Sequence, residues 1–210
     1  MTQGTPEPSP WNVANLLTGA RIVLVPVFGW LLLGGGESSA LRWAAFGVFA
    51  LAMATDRVDG DIARRRGLVT DLGKVLDPIA DKALVTMALV GLSLLGELPW
   101  WVTAIVLVRE WGITLMRFWV IRHGVMAAGR GGKLKTVLQT VGIGLFLMPR
   151  DAMFWTPLWD VLAWGFLGAA VVLTVLTGLD YLLKAVRLRR TSDRAAQKRS
   201  DREARDGSGA

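Results

Sequence analysis

Six aspartates fall between positions 56 and 81, and four of them repeat at helical spacing. Asp56, Asp59 and Ala63 stand at i, i+3 and i+7; Gly73, Asp77 and Asp81 stand at i, i+4 and i+8. Each series lies on one helix face. Two helix ends can therefore present two carboxylates each. Ala63 and Gly73 lie on the same stripes and Gly60 sits beside Asp59, so a ligand or a second backbone can come close. Converging carboxylates repel and raise one another's pKa unless a cation lies between them. Two divalent ions would neutralise four carboxylates, and such a pair can clamp the attacking and leaving oxygens of a phosphoryl transfer. The rival reading makes the aspartates solvated charges, or partners of Arg57, Arg64, Arg65, Arg66 and Lys82. The regular spacing of all four weighs against it. Asp61 and Asp71 lie off both stripes and are read as ordinary surface charges.

The composition narrows the metal. Cysteine is absent and His123 is the single histidine. A metal site here must rest on carboxylates, which suit hard ions such as Mg²⁺ or Mn²⁺.

The surrounding elements read as membrane spans. About half of the 210 residues are apolar, yet the formal net charge is +7. That pairing fits apolar spans alternating with basic loops better than it fits a soluble globule. A span needs roughly 20 apolar residues, and the pattern predicts six. They run from about Leu16 to Leu33, Leu41 to Thr55, Val75 to Leu95, Trp100 to Ile121, Leu134 to Met148 and Leu158 to Leu183. Trp11, Trp100, Trp101, Trp155 and Trp159 flank apolar runs, where an interfacial aromatic belt would place them. The expected fold is all-α, a polytopic membrane protein with one six-helix domain over residues 11–186. Residues 1–10 are polar and Pro-rich and read as disordered. Residues 187–210 read as a basic cytoplasmic tail. The first span is not taken as a cleaved signal peptide, because no Lys or Arg precedes it and five more spans follow.

Orientation follows from Lys and Arg. The second-to-third connection holds Arg57, Arg64, Arg65, Arg66 and Lys74, and the fourth-to-fifth holds Arg122, Arg130, Lys133 and Lys135. Nine more run from Lys184 to Arg205, whereas the opposite connections hold Arg42 and Arg150. Six spans put both termini, and the aspartates, on the cytoplasmic side of the cell membrane. The basic tail reads as an anchor to anionic membrane lipids. No aromatic-interleaved groove accompanies it, so nucleic acid is not expected as a partner.

The stretch from Asp56 to Asp81 resembles the signature of the CDP-alcohol phosphatidyltransferase family. That pattern is Asp-x-x-Asp-Gly-x-x-Ala-Arg, eight residues, then Gly-x-x-x-Asp-x-x-x-Asp. Asp56, Asp59, Gly60, Ala63, Arg64, Gly73, Asp77 and Asp81 fill every place. The resemblance implies six membrane helices, a homodimer, and a site at the cytoplasmic face. It also implies transfer from a CDP-linked lipid, CDP-diacylglycerol, to an alcohol with release of CMP. By position, Asp56, Asp59 and Asp77 hold metal. Asp81 reaches the second ion and serves as the base on the acceptor hydroxyl. Gly60 and Ala63 leave room for the cytidine nucleotide, Arg64 pairs with its phosphates, and Thr70 offers a hydroxyl to the same group.

The resemblance extends from about Asn15 to Gln139. It takes in Asn15-Leu-Leu-Thr-Gly-Ala-Arg21 with Pro26, Arg109-Glu-Trp-Gly-Ile-Thr-Leu-Met-Arg117 and Gly132-Lys-Leu-Lys-Thr136. These segments are similar to family members that take sn-glycerol 3-phosphate. A dianionic phosphate needs a basic pocket. Arg109 and Arg117 lie eight apart inside the fourth span, where a central charge costs about 2.5–3.5 kcal/mol and so tends to be functional. Lys133 and Lys135 enter the fifth span from the same side and complete the expected pocket. Each has a plainer alternative. Arg109 can pair with Glu110 or Asp81, Arg117 can snorkel to headgroups, and Lys133 can be an ordinary anchor. Asn15 and Thr18 are either nucleotide contacts or an N-terminal helix cap.

The nearest rival acceptors are inositol phosphate, which also needs cations, and phosphatidylglycerol, as in a cardiolipin synthase, which does not. A cation transporter predicts carboxylates near mid-membrane on several spans rather than at one edge. A catalytically dead scaffold would typically have lost an aspartate, and none is missing.

Overall fold

The computed structural model describes residues 13–34, 38–66, 71–120, 130–150 and 154–179. The expected N-terminal and C-terminal extensions and Thr70 lie outside the described residues. Those described are helical in six stretches: α1 (Val13–Gly34), α2 (Ser39–Arg66), α3 (Asp71–Leu94), α4 (Trp100–Val120), α5 (Arg130–Leu147) and α6 (Thr156–Leu179). The all-α expectation holds, and every helix coincides with one of the six apolar runs.

Helix bounds differ from the apolar runs in one consistent way. Apolarity marks what avoids water, whereas the backbone ladder continues through polar residues for as long as its hydrogen bonds are met within the helix. So α2 runs on past Thr55 to Arg66 and carries Asp56 and Asp59 on the same continuous helix as its apolar half. Likewise α5 begins at Arg130, so Lys133 and Lys135 are helical. Thr55 marks the changeover in α2; its hydroxyl bonds back to the carbonyls of Leu51 at 2.9 Å and Ala52 at 3.1 Å. α1 begins at Val13, which places Thr18 beyond the first turn and 3% exposed. Thr18 is therefore not an N-cap.

Small residues set how closely the helices approach. A Cβ at Gly29 would meet the Met87 side chain, and one at Gly91 would meet Leu32, so α1 and α3 pack through these glycines. At Gly142 a Cβ would lie 2.8 Å from the Leu167 backbone nitrogen, so α5 and α6 meet backbone to backbone. The core of Phe28, Leu32, Phe49, Leu84, Leu89, Leu92, Val106, Ile143, Phe146 and Leu167 is drawn from all six helices.

Polar ties fix the ends. Gly96, at φ +73, turns the chain between α3 and α4. Beside it the Ser93 and Thr103 hydroxyls meet at 2.7 Å. Arg42 at the start of α2 donates to Glu97 at 2.6 Å and to the carbonyl of Phe146 at 3.0 Å. That carbonyl belongs to the last turn of α5, which has no partner within its own helix.

The outer surface is apolar. Val23, Trp30, Leu51, Val108, Leu115, Val161, Val172 and Leu176 are all exposed. Leu16–Gly34 and Thr156–Leu179 are long and apolar enough to cross a membrane, and Ser39–Thr55 is a shorter apolar stretch. So many exposed large apolar side chains do not suit bulk water and fit a membrane protein. The exposed Trp43, Trp100, Trp101 and Trp155 lie at the end of the bundle opposite the aspartates.

Candidate active site

The helix ends bring the sequence-predicted residues to one end of the bundle. Asp56 and Asp59 lie in the polar end of α2, Asp77 and Asp81 in the first three turns of α3, Arg109 midway along α4 and Arg117 in its last turn. Gly60, Ala63 and Arg64 share α2 with the first pair, and Gly73 precedes the second pair on α3. Asn15 is in the first turn of α1. The side chains of these residues other than Asp81 and Arg109 lie outside the described set, so no carboxylate cluster assembles among the described side chains. An all-carboxylate donor set on two adjoining helix ends fits a hard divalent ion. Asp81, the described member, is partly buried beside cations.

Asp81 lines a pocket between α2, α3, α4 and α5. Its other walls are Met53, Lys82, Val85, Thr86, Leu107, Glu110, Lys135, Thr136, Gln139 and Thr140. The pocket holds about 390 Å³ of space, counting the part that opens outward.

One carboxylate organises the cations. Glu110 accepts from Lys82 at 2.9 Å through Oε2 and from Arg109 at 3.1 Å through Oε1. Lys135 contacts that same Oε1. Three helices thus deliver three cations to one anion whose side chain is 14% exposed. Taking two or more charges out of water is costly unless they are paired and hydrogen-bonded; Asp81 lines the same pocket as a second carboxylate. Arg109 also donates to the Thr177 hydroxyl of α6 at 3.1 Å, which orients its guanidinium. Trp111 donates to Thr86 at 3.2 Å and ties α4 to α3 beside the pocket.

These contacts sort the expected acceptor residues. Lys135 is buried in the pocket wall, and Arg109 joins it through Glu110, the pairing held open as its plainer alternative. Lys133 is exposed and does not line the pocket, as an anchor would be. Thr18 is buried on α1. Three pocket residues were not singled out from sequence: Lys82, Glu110 and Gln139. The signal for Glu110 was available, because an acid inside a span is as costly as the neighbouring Arg109. Lys82 follows Asp81 directly, and Gln139 lies one turn beyond Lys135, both readable as neighbours of the site.

The family profile described as CDP-alcohol phosphatidyltransferase matches residues 11–176. The chain belongs to that family. A Mycobacterium tuberculosis protein named "Probable phosphatidylglycerophosphate synthase" is 52% identical over 177 residues, covering 84% of this chain and 82% of its own. A Bacillus subtilis CDP-diacylglycerol–glycerol-3-phosphate 3-phosphatidyltransferase is 34% identical, covering 87% of this chain and 100% of its own. A Streptomyces coelicolor cardiolipin synthase (CMP-forming) is also 34% identical, covering 84% of each chain.

Proposed function

We propose that this transferase moves the phosphatidyl group of CDP-diacylglycerol to sn-glycerol 3-phosphate, giving phosphatidylglycerophosphate and CMP in phospholipid biosynthesis. The observation that carries the acceptor is the gathering of Lys82, Arg109 and Lys135 at a pocket that also contains Asp81. Three cations in one wall, with Glu110 and Asp81 as the described carboxylates beside them, favour an anionic acceptor. The names of the mycobacterial and Bacillus relatives point the same way.

In this reading Asp81 accepts the proton of the acceptor hydroxyl. The freed oxygen attacks the phosphorus that bears diacylglycerol, the bond from that phosphorus to the bridging oxygen breaks, and CMP leaves with the bridging oxygen. Lys135 and Arg109 hold the acceptor phosphate so that the hydroxyl faces Asp81, with Lys82 completing the basic wall and Arg117 a further candidate. Gly60 and Ala63 leave room for the nucleotide, Arg64 pairs with its phosphates, and Asn15, Thr18, Thr70 and Gly73 line its side. Asp56, Asp59, Asp77 and Asp81 would hold Mg²⁺ or Mn²⁺, two ions by charge. Bound metal supplies charge neutralisation at the pyrophosphate, so catalysis is largely positioning and electrostatics.

The six helices are proposed to span the cell membrane with both termini and the site at the cytoplasmic face, in a homodimer surrounded by membrane lipids. The positive-inside bias and the apolar exterior support this. The Streptomyces relative keeps a second acceptor in view, phosphatidylglycerol, and the cation wall also suits inositol phosphate. Purified protein given CDP-diacylglycerol and each acceptor in turn decides: CMP release is expected with sn-glycerol 3-phosphate. Release with inositol phosphate or phosphatidylglycerol but not with sn-glycerol 3-phosphate would overturn the assignment.

A further inference from the structure

Gln139 is 4% exposed, lines the pocket with Asp81 and Lys135, and has a buried Oε1 with no hydrogen-bond partner among the described residues. Such an atom is uncommon. Buried side-chain oxygens nearly always find a donor, and leaving one unpaired costs about 1–3 kcal/mol. A packing role would be served as well by Leu or Met, without that cost.

We infer that Gln139 is a specificity residue that hydrogen-bonds the hydroxyl of the acceptor that does not react. This rests on the proposed glycerol phosphate acceptor. Lys135 and Gln139 stand at i and i+4 on α5, on one face, with a rise of about 6 Å between them. That is the scale of a three-carbon phosphate. Its phosphate meets Lys135 and the other cations, its terminal hydroxyl meets Asp81, and its central hydroxyl falls to the Gln139 amide. The terminal amide torsion is soft, so the group can turn to meet that hydroxyl without moving the helix. Each polar group of the acceptor then has one partner on a different part of the wall.

The test compares sn-glycerol 3-phosphate with 3-hydroxypropyl phosphate, which lacks the central hydroxyl, using the full chain in detergent with CDP-diacylglycerol. The wild type should prefer the former by about tenfold or more in kcat/KM. Gln139→Leu should bring the two acceptors close to parity by losing on sn-glycerol 3-phosphate, mainly through KM, with KM for CDP-diacylglycerol unchanged. Gln139→Met, closer in length, should do the same. Equal use of both acceptors by the wild type overturns the inference, and so does a folded variant that keeps the preference. If neither variant folds, Gln139 is a packing residue and the inference fails. A wild type that releases no CMP with sn-glycerol 3-phosphate defeats the acceptor assignment itself, which is a separate outcome.

Discussion

Lys82 of α3 donates to Oε2 of Glu110 on α4 at 2.9 Å. The other oxygen of that carboxylate is taken by Arg109 and Lys135. Glu110 is therefore the anion that lets three cations share one small volume before any phosphate arrives. Glu110→Gln removes that anion and leaves the three cations with Asp81 as the other described carboxylate of the pocket. Breaking a buried ion pair from one side costs about 3–5 kcal/mol, so the variant should unfold at a clearly lower temperature. Added sn-glycerol 3-phosphate should restore more stability to the variant than to the wild type. Thermal unfolding with and without the phosphate measures both.

Asp81→Asn keeps the size of the side chain and removes the base. Loss of a general base typically costs 10²-fold or more, so kcat should fall by about that much while the protein stays folded. A variant that keeps more than about a tenth of wild-type turnover rules Asp81 out as the base.

Lys135→Met retains much of the aliphatic stem in the pocket wall and deletes the charge. KM for sn-glycerol 3-phosphate should rise by about tenfold or more, in line with a lost charged hydrogen bond, while KM for CDP-diacylglycerol stays put. Lys133→Met, at an exposed position, should change neither. Steady-state kinetics on the two variants side by side separates the buried lysine from the exposed one.

Chelation tests the carboxylates. EDTA should stop CMP release, and Mg²⁺ or Mn²⁺ should restore it. Asp59→Asn should raise the metal concentration needed for half-maximal activity; an unchanged requirement would remove Asp59 from the metal set.

Gly142→Ala places a methyl group 2.8 Å from the Leu167 backbone nitrogen. Ala is the better helix former by about 1 kcal/mol, but overpacking typically costs about 1–3 kcal/mol, and here the obstacle is backbone that cannot swing aside. The variant should be less stable than wild type in a detergent melt. Gly47→Ala, where the added methyl meets nothing within 4 Å, is the control and should be neutral or stabilising.

Much of this protein was legible in its sequence for definable reasons. Apolar runs report what avoids water, so the six helices could be placed; their ends could not, because Asp56 and Lys133 continue a helix whose hydrogen bonds do not depend on polarity. The aspartates stood out because regular spacing on a helix is itself geometric information. Glu110 could be read as a costly charge inside a span, but its role could not, because that lies in a meeting of α3, α4 and α5, and spacing within α4 says nothing of what Lys82 and Lys135 do. Gln139 could be placed beside Lys135 by spacing, but its role was out of reach for a related reason. A lone amide is unremarkable until its carbonyl proves to be buried without a donor among the described residues.

The tie made by Arg42 to Glu97 and to the Phe146 carbonyl joins α2, the α3–α4 turn and α5 at the end away from the pocket. One guanidinium thus rivets three parts of the chain that nothing covalent holds together at that end. Arg42→Ala removes the rivet and leaves the Glu97 carboxylate and the Phe146 carbonyl without that donor, so the variant is expected to unfold at a lower temperature than wild type. A thermal melt of the two proteins in detergent is the measurement that tells.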